Sequence, residues 1–148
     1  MKIKNIIITF VSAIAILFST SVVSLAKVVG DKIILGAAIS LTGKYSSNGV
    51  HTQNGYNMAV DRINSMGGVK VGGKTYMFDI IYYDDESNPK RAAQLAERLI
   101  SQDGVEFMLG PYSSGLTKAI APVTEKYGVP MVEAVSYTHL TLPTMLWV

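Results

Sequence analysis

The sequence predicts an α/β fold, a parallel sheet flanked by helices, and three observations carry that prediction. The stretch "KIILGAAIS" (Lys32–Ser40) is an almost unbroken apolar run, which suits a strand buried on both faces, as in parallel sheets. From there to Ala134, β-rich runs alternate with segments of helical period. Short loops join them, so each helix returns the chain to a neighbouring parallel strand. At 148 residues the chain is long enough for one domain with a real core.

The first 26 residues stand apart. Lys2 and Lys4 precede an apolar run from Ile6 to Phe18, a Ser/Thr-rich segment follows, and Ser24 and Ala26 are the small residues that signal peptidase needs before Lys27. Residues 1–26 are therefore expected to be a secretory signal peptide, cleaved after Ala26, that sends the rest to the periplasm. The rival is a retained membrane anchor, but the apolar core is 13 residues long, and a spanning helix wants about 20. Without the leader the chain holds 11 basic and 11 acidic residues, so no charge excess steers it to nucleic acid or an anionic surface. It has no cysteine, hence neither a disulfide nor a thiol for lipid attachment.

Within residues 27–134 the elements follow in order. The first strand, Lys32–Ser40, gives way to a loop, Leu41–Gly49, rich in Gly, Ser and Asn. In "VHTQNGYNMAVDRINSMGG", Tyr56, Ala59, Val60 and Ile63 fall at helical spacing, and Gly67-Gly68 stops the helix. The next strand is "TYMFDIIYYDD", with Tyr76, Phe78, Ile80 and Tyr82 alternating on one face. Asn88 is a fitting N-cap and Pro89 a fitting first residue for a helix whose apolar stripe is Ala92, Leu95, Ala96, Leu99 and Ile100. Asp103-Gly104 ends it. A short strand, Val105–Gly110, leads through "PYSSG" to "LTKAIAPVTEKYG", a helix expected to kink or restart at Pro122. Val129–Ala134 is a further strand.

Residues 68–75, "GVKVGGKT", satisfy the phosphate-loop string G-x-x-x-x-G-K-[ST] through Gly68, Gly73, Lys74 and Thr75. The chemistry needs a strand before the loop and a helix after it, so that backbone amides and the helix N-terminus converge on phosphate. Here a helix precedes and a strand follows. The string reads as a Gly-rich surface turn with Lys74 solvated beside it, and nucleotide binding is not expected.

Ligands of open α/β sheets gather at the carboxyl ends of the strands. Two loops sit there, Leu41–Gly49 and Pro111–Gly115. Ser113 and Ser114 lie where a strand yields to a helix, so their hydroxyls and the nearby amides suit a small anion such as an amino-acid carboxylate. The plainer alternative is that one of them caps the helix. Asp84, Asp85 and Glu86 lack the spaced oxygen ligands of a calcium loop and read as a solvated turn. His51 and His139 are isolated, and Ser113 has no evident base, so no catalytic residue and no metal site is expected.

From about Lys32 to Ala134 the chain resembles the type I periplasmic binding proteins of ABC importers, in the branched-chain amino-acid-binding (Leu/Ile/Val-binding-like) branch. "LTGKYSSNG", "NGYNMAVDRINSMGGV", "YYDDESNPKRAAQLAERLI", "GPYSSG" and "GVPMVEA" occur in the family's order. The resemblance implies two α/β lobes closing on a small ligand, without catalysis or cofactor, and residues 27–134 as a partial first lobe. It implies an amino acid as ligand, an ABC permease of the inner membrane as partner, and no nucleic acid. It assigns the ligand carboxylate to Ser113 and especially Ser114, and cleft lining to the loop after the first strand. The position before the loop's glycine, often aromatic in the family, is Asn48 here, and Tyr45 is expected to supply the ring. A ligand-sensing receptor or regulator domain on the same fold is the alternative function.

The resemblance stops after Ala134, where relatives continue with a Gly/Ala/Ser-rich loop that completes the ligand contacts. This chain reads "VSYTHLTLPTMLWV" instead, without helical or clear strand period. "SYTHLTLPT" looks like a translated sequencing adapter of the kind that ends metagenomic gene fragments. Residues 135–148 are therefore expected to be a non-native tail, the alternative being a divergent natural terminus.

Overall fold

The computed structural model of the chain describes residues 28–134. The expected signal peptide, 1–26, and the expected foreign tail, 135–148, lie outside the described residues. Within them the chain builds six strands and three helices. They are β1 (Val28–Val29), β2 (Lys32–Ile39), α1 (Ser46–Ser65), β3 (Val69–Val71), β4 (Lys74–Asp84), α2 (Pro89–Ser101), β5 (Met108–Leu109), α3 (Ser114–Tyr127) and β6 (Met131–Val132).

The sheet runs β3-β4-β2-β5-β6, with β1 folded back antiparallel on β2. Strands β4, β2, β5 and β6 are mutually parallel, which is the predicted α/β class. From β2 the chain crosses through α1 to β4 on one side, and from β4 through α2 to β5 on the other. Right-handed crossovers in opposite directions put helices on both faces of the sheet and leave a crevice where the loops after β2 and β5 diverge.

Strand β2 is central, and its unbroken apolar sequence reflects burial on both faces. Ala37, Ala38 and Ile39 have no exposed surface. A Cβ at Gly36 would lie 2.8 Å from Val105 Cγ2 and 2.9 Å from Met108 Sδ, so the glycine lets α2 and the following loop close on the strand. The core is formed there by Ile34, Ala38, Leu99, Met108, Leu116 and Ile120. Fully burying a side chain such as Leu99 or Ile120 is worth about 1.5–3 kcal/mol. The other face is thinner: α1 lies over β4, its only buried residue is Gly49, and Met58 is 72% exposed.

Several elements differ in their bounds from expectation. Helix α1 begins at Ser46, inside the stretch expected to be loop, because Gly49 can press its first turn against the Ser40 backbone where a Cβ would collide with the Ser40 carbonyl. Val69–Val71 is a strand, pairing antiparallel with Lys74–Tyr76 across a two-residue turn in which Gly72 and Gly73 both have positive φ. The phosphate-loop string is thus a β-hairpin. The strand expected at Val105–Gly110 contracts to β5, because Val105 N–H is taken by the Leu99 carbonyl at the end of α2. Helix α3 is continuous through the exposed Pro122, so it does not restart there.

Candidate ligand-binding cleft

The first turn of α1 forms one wall of the crevice. Tyr45 occupies the N-cap position without a side-chain cap, and its N–H donates to Ser87 Oγ at 2.9 Å. Its half-buried ring packs against the core, lies 6.4 Å from the Tyr112 ring and carries the Lys44 ammonium 5.2 Å from its centroid. Asn48 is three residues into the helix and half-buried. Its carbonyl accepts from Thr52 Oγ1 at 3.0 Å, and its side chain makes no hydrogen bond among the described residues.

The facing wall is the start of α3. Ser113 is the N-cap, with φ 97° and ψ 124°, a backbone conformation rare outside glycine. Its Oγ accepts from Leu116 N at 3.5 Å, and its carbonyl accepts from Thr117 N at 3.0 Å and Thr117 Oγ1 at 3.2 Å. Ser114 is the first helical residue, half-buried, with a hydroxyl that makes no hydrogen bond among the described residues. The capping role read as the alternative for the serine pair thus falls to Ser113. That leaves the Ser114 hydroxyl unengaged among the described residues, beside the first amides of α3, where the helix dipole favours negative charge.

Between the walls lies an open hollow of about 510 Å³, lined by Asn48, His51, Thr52, Gly55, Tyr56, Tyr112 and Ala134. The fold brings Asn48 into it; Tyr45, Ser113 and Ser114 are not among its lining residues. Tyr45 reaches the hollow only through Tyr112. Sequence reasoning missed Tyr56, whose hydroxyl donates to the Gly110 carbonyl at 2.7 Å and so ties α1 to the end of β5. Burial, with Tyr82 beside it, pushes the Tyr56 hydroxyl up to about 12. It therefore stays a neutral donor at any physiological pH. A second hollow, of about 500 Å³, lies around Val105, Phe107 and Val129, at the opposite ends of β5 and β6, away from both serines.

The reading of Asp84–Glu86 as a solvated turn is corrected. Only Glu86 is exposed, in an ion pair with Arg91 at 3.3 Å. Asp85 is fully buried, and its Oδ1 accepts from Ser40 Oγ at 2.6 Å and Ser87 N at 2.7 Å, while its Oδ2 is buried without a partner among the described residues. Burial pushes the Asp85 carboxyl up, and the bonds from Ser40 and Ser87 only partly offset it. Asp84 Oδ1 accepts from Leu41 N (2.9 Å), Thr42 N (3.2 Å) and Glu86 N (2.9 Å), and Oδ2 accepts from Thr42 Oγ1 (2.7 Å). Partial burial pushes Asp84 up, but these four bonds outweigh it and hold the carboxyl below its ordinary value. Glu133, at the end of β6, also has a buried oxygen without a partner among the described residues, and burial raises its carboxyl.

A parallel sheet of this topology, with its crevice between the first and third parallel strands and polar helix starts on either side, is an open α/β fold of the kind that takes ligands in such a crevice. Residues 32–145 match the family described as periplasmic binding protein, and the chain belongs to that family. It is 33% identical over 100 residues to the Leu/Ile/Val-binding protein BraC3 of Rhizobium johnstonii, covering 68% of this chain and 26% of that protein. It is 31% identical over 102 residues to the leucine-, isoleucine-, valine-, threonine- and alanine-binding protein of Pseudomonas aeruginosa, covering 69% and 26%. Among solved structures, the branched-chain amino acid transporter substrate-binding protein LivJ of Streptococcus pneumoniae, in complex with isoleucine, aligns with TM-score 0.67 and 30% identity, over 76% of this chain and 32% of that one. The chain thus spans about a quarter of the length of the curated relatives it matches.

Proposed function

We propose that this chain is the amino-terminal part of a two-lobed periplasmic substrate-binding protein that captures an amino acid of the branched-chain type, or a similar small solute, for an ABC permease of the inner membrane. The observation that carries the reading is the division of labour at the start of α3. Ser113 is spent on capping, and the Ser114 hydroxyl, without a hydrogen bond among the described residues, stands beside the first amides of the helix, at the edge of the crevice. That arrangement suits a carboxylate, since a hydrogen bond to a charged group is worth about 1.5–3 kcal/mol. Tyr45 and Asn48 stand on the opposing wall, Asn48 bordering the hollow directly and Tyr45 acting through the Tyr112 ring. The names of the relatives support an amino-acid ligand, and those relatives are binding proteins rather than enzymes.

The leader, residues 1–26, supplies export in this reading, and residues 135–148 are foreign sequence. The family match runs to residue 145, past Ala134 and into that segment. Re-amplifying the gene from its source DNA decides the point: a native in-frame "THLTLPT" would sink the foreign-tail reading. The functional test is calorimetry of L-isoleucine, L-leucine and L-valine on the full-length gene product. Ser114→Ala is expected to weaken binding roughly 10- to 100-fold with the thermal midpoint unchanged. Equal affinities for wild type and Ser114→Ala would remove Ser114 from the site.

A further inference from the structure

The loop after β2 is held largely from outside, its one backbone bond of its own among the described residues running from Ser46 N to the Gly43 carbonyl at 3.2 Å. Leu41 and Thr42 N–H, the Thr42 hydroxyl and the Tyr45 N–H all bond outward, to the turn that follows β4. That turn is organised to receive them. Glu86 and Ser87 both have left-handed backbones, with φ of 54° and 60°, unusual for residues other than glycine. This places Ser87 Oγ to accept from Tyr45 N and to donate to the Thr42 carbonyl at 2.8 Å. Gly43 completes the fit: a Cβ there would stand 2.9 Å from Ser87 Oγ and 2.7 Å from the Glu86 carbonyl. Arg91 Nε donates to the Asp84 carbonyl at 3.2 Å and ties the turn to α2.

We propose that Asp84 is a positioning residue for ligand binding: its carboxylate gathers the Leu41–Thr42 backbone, and with Ser87 it sets where Tyr45 and the first turn of α1 stand in the cleft. The inference rests on the proposed reading that this wall faces ligand. Asp84 itself touches no part of the hollow. A carboxylate is the group that fits, because one oxygen must accept three N–H donors while the other takes a hydroxyl. Asparagine retains one such oxygen, and alanine retains none.

The experiment uses the full-length gene product, with L-isoleucine as probe and amide hydrogen exchange as a second readout. Asp84→Ala is expected to speed exchange at Leu41, Thr42 and Glu86 while Ile34–Ile39 keep their protection, and to weaken L-isoleucine binding about tenfold. Asp84→Asn, which preserves the acceptor for Leu41 and Thr42, is expected to restore Leu41 protection and bring affinity within roughly threefold of wild type. Should Asp84→Ala fail to fold, Thr42→Val removes only the bond to Oδ2 and is expected to loosen Leu41–Thr42 alone. Unchanged exchange at Leu41 and Thr42, or acceleration spread evenly over the sheet, would overturn the proposal, as would affinity unmoved by a loosened loop. The two readings fail separately. If wild type ignores L-isoleucine, the branched-chain assignment falls, while exchange at Leu41 and Thr42 still decides what Asp84 holds.

Discussion

Gly49 sits where two chain segments nearly touch, the first turn of α1 and the backbone of Ser40 at the end of β2. The neighbour is a carbonyl rather than the far end of a flexible side chain, so an added methyl cannot be accommodated by a rotamer change. Gly49→Ala is expected to destabilise the fold by about 1–3 kcal/mol, read as a lower urea midpoint at unchanged slope; an unaltered midpoint would show that the helix can pull away. The same approach carries Tyr45 and Asn48 toward the crevice, so packing at Gly49 and the position of the candidate site are one problem. Ser113 illustrates another residue-scale cost. Its backbone is held in a sparsely populated region at a candidate site, and such strain persists only where surrounding contacts over-determine it. Here those contacts are the bonds from Thr117 and Leu116.

At the scale of elements, α2 was the most legible. Asn88 accepts from Lys90 N at 2.9 Å and Arg91 N at 3.2 Å, Pro89 takes the first helical position, and Ala92, Ala96 and Leu99 are buried as their spacing requires. Asn88→Ala is expected to cost about 1 kcal/mol, measured by chemical denaturation, and Asn88→Asp to recover most of it. Strand β2 was equally readable, since only burial on both faces explains so continuous an apolar run. The start of α1 was not, because Gly49 looks like a loop residue until Ser40 is seen beside it. Nor was β3, since Val69–Val71 is too short to show a period. For the cleft, the serine pair was visible from its place between strand and helix. The acceptor role of Asp84 and Asp85 was hidden, because their partners in the Ser40–Thr42 segment lie 42–45 residues away and no local pattern announces them.

At the scale of the molecule, the two faces of the sheet are unequally furnished. Helices α2 and α3 bury a contiguous core, whereas α1 leaves Met58 and Met66 largely exposed, and Val132 on the edge strand β6 is 66% exposed. The hollow beside Asn48 is open, and among the described residues its walls come from α1, the loop before α3 and Ala134. A small solute held on one such wall keeps much of its surface in water and gains little from burial. The 27–148 chain alone is therefore expected to fold poorly and to bind L-isoleucine weakly or not at all; a submicromolar dissociation constant by calorimetry would refute this.

The hairpin that imitates a phosphate loop has a practical use. Lys74 opens β4 at the exposed tip, and the same eleven-residue strand ends at Asp84 beside the cleft, about 35 Å away at ordinary strand rise. Because the chain has no cysteine, Lys74→Cys would create its sole thiol. A maleimide dye there would ride on the sheet's own frame, remote from the serines, as a fixed reference for distance measurements to the cleft.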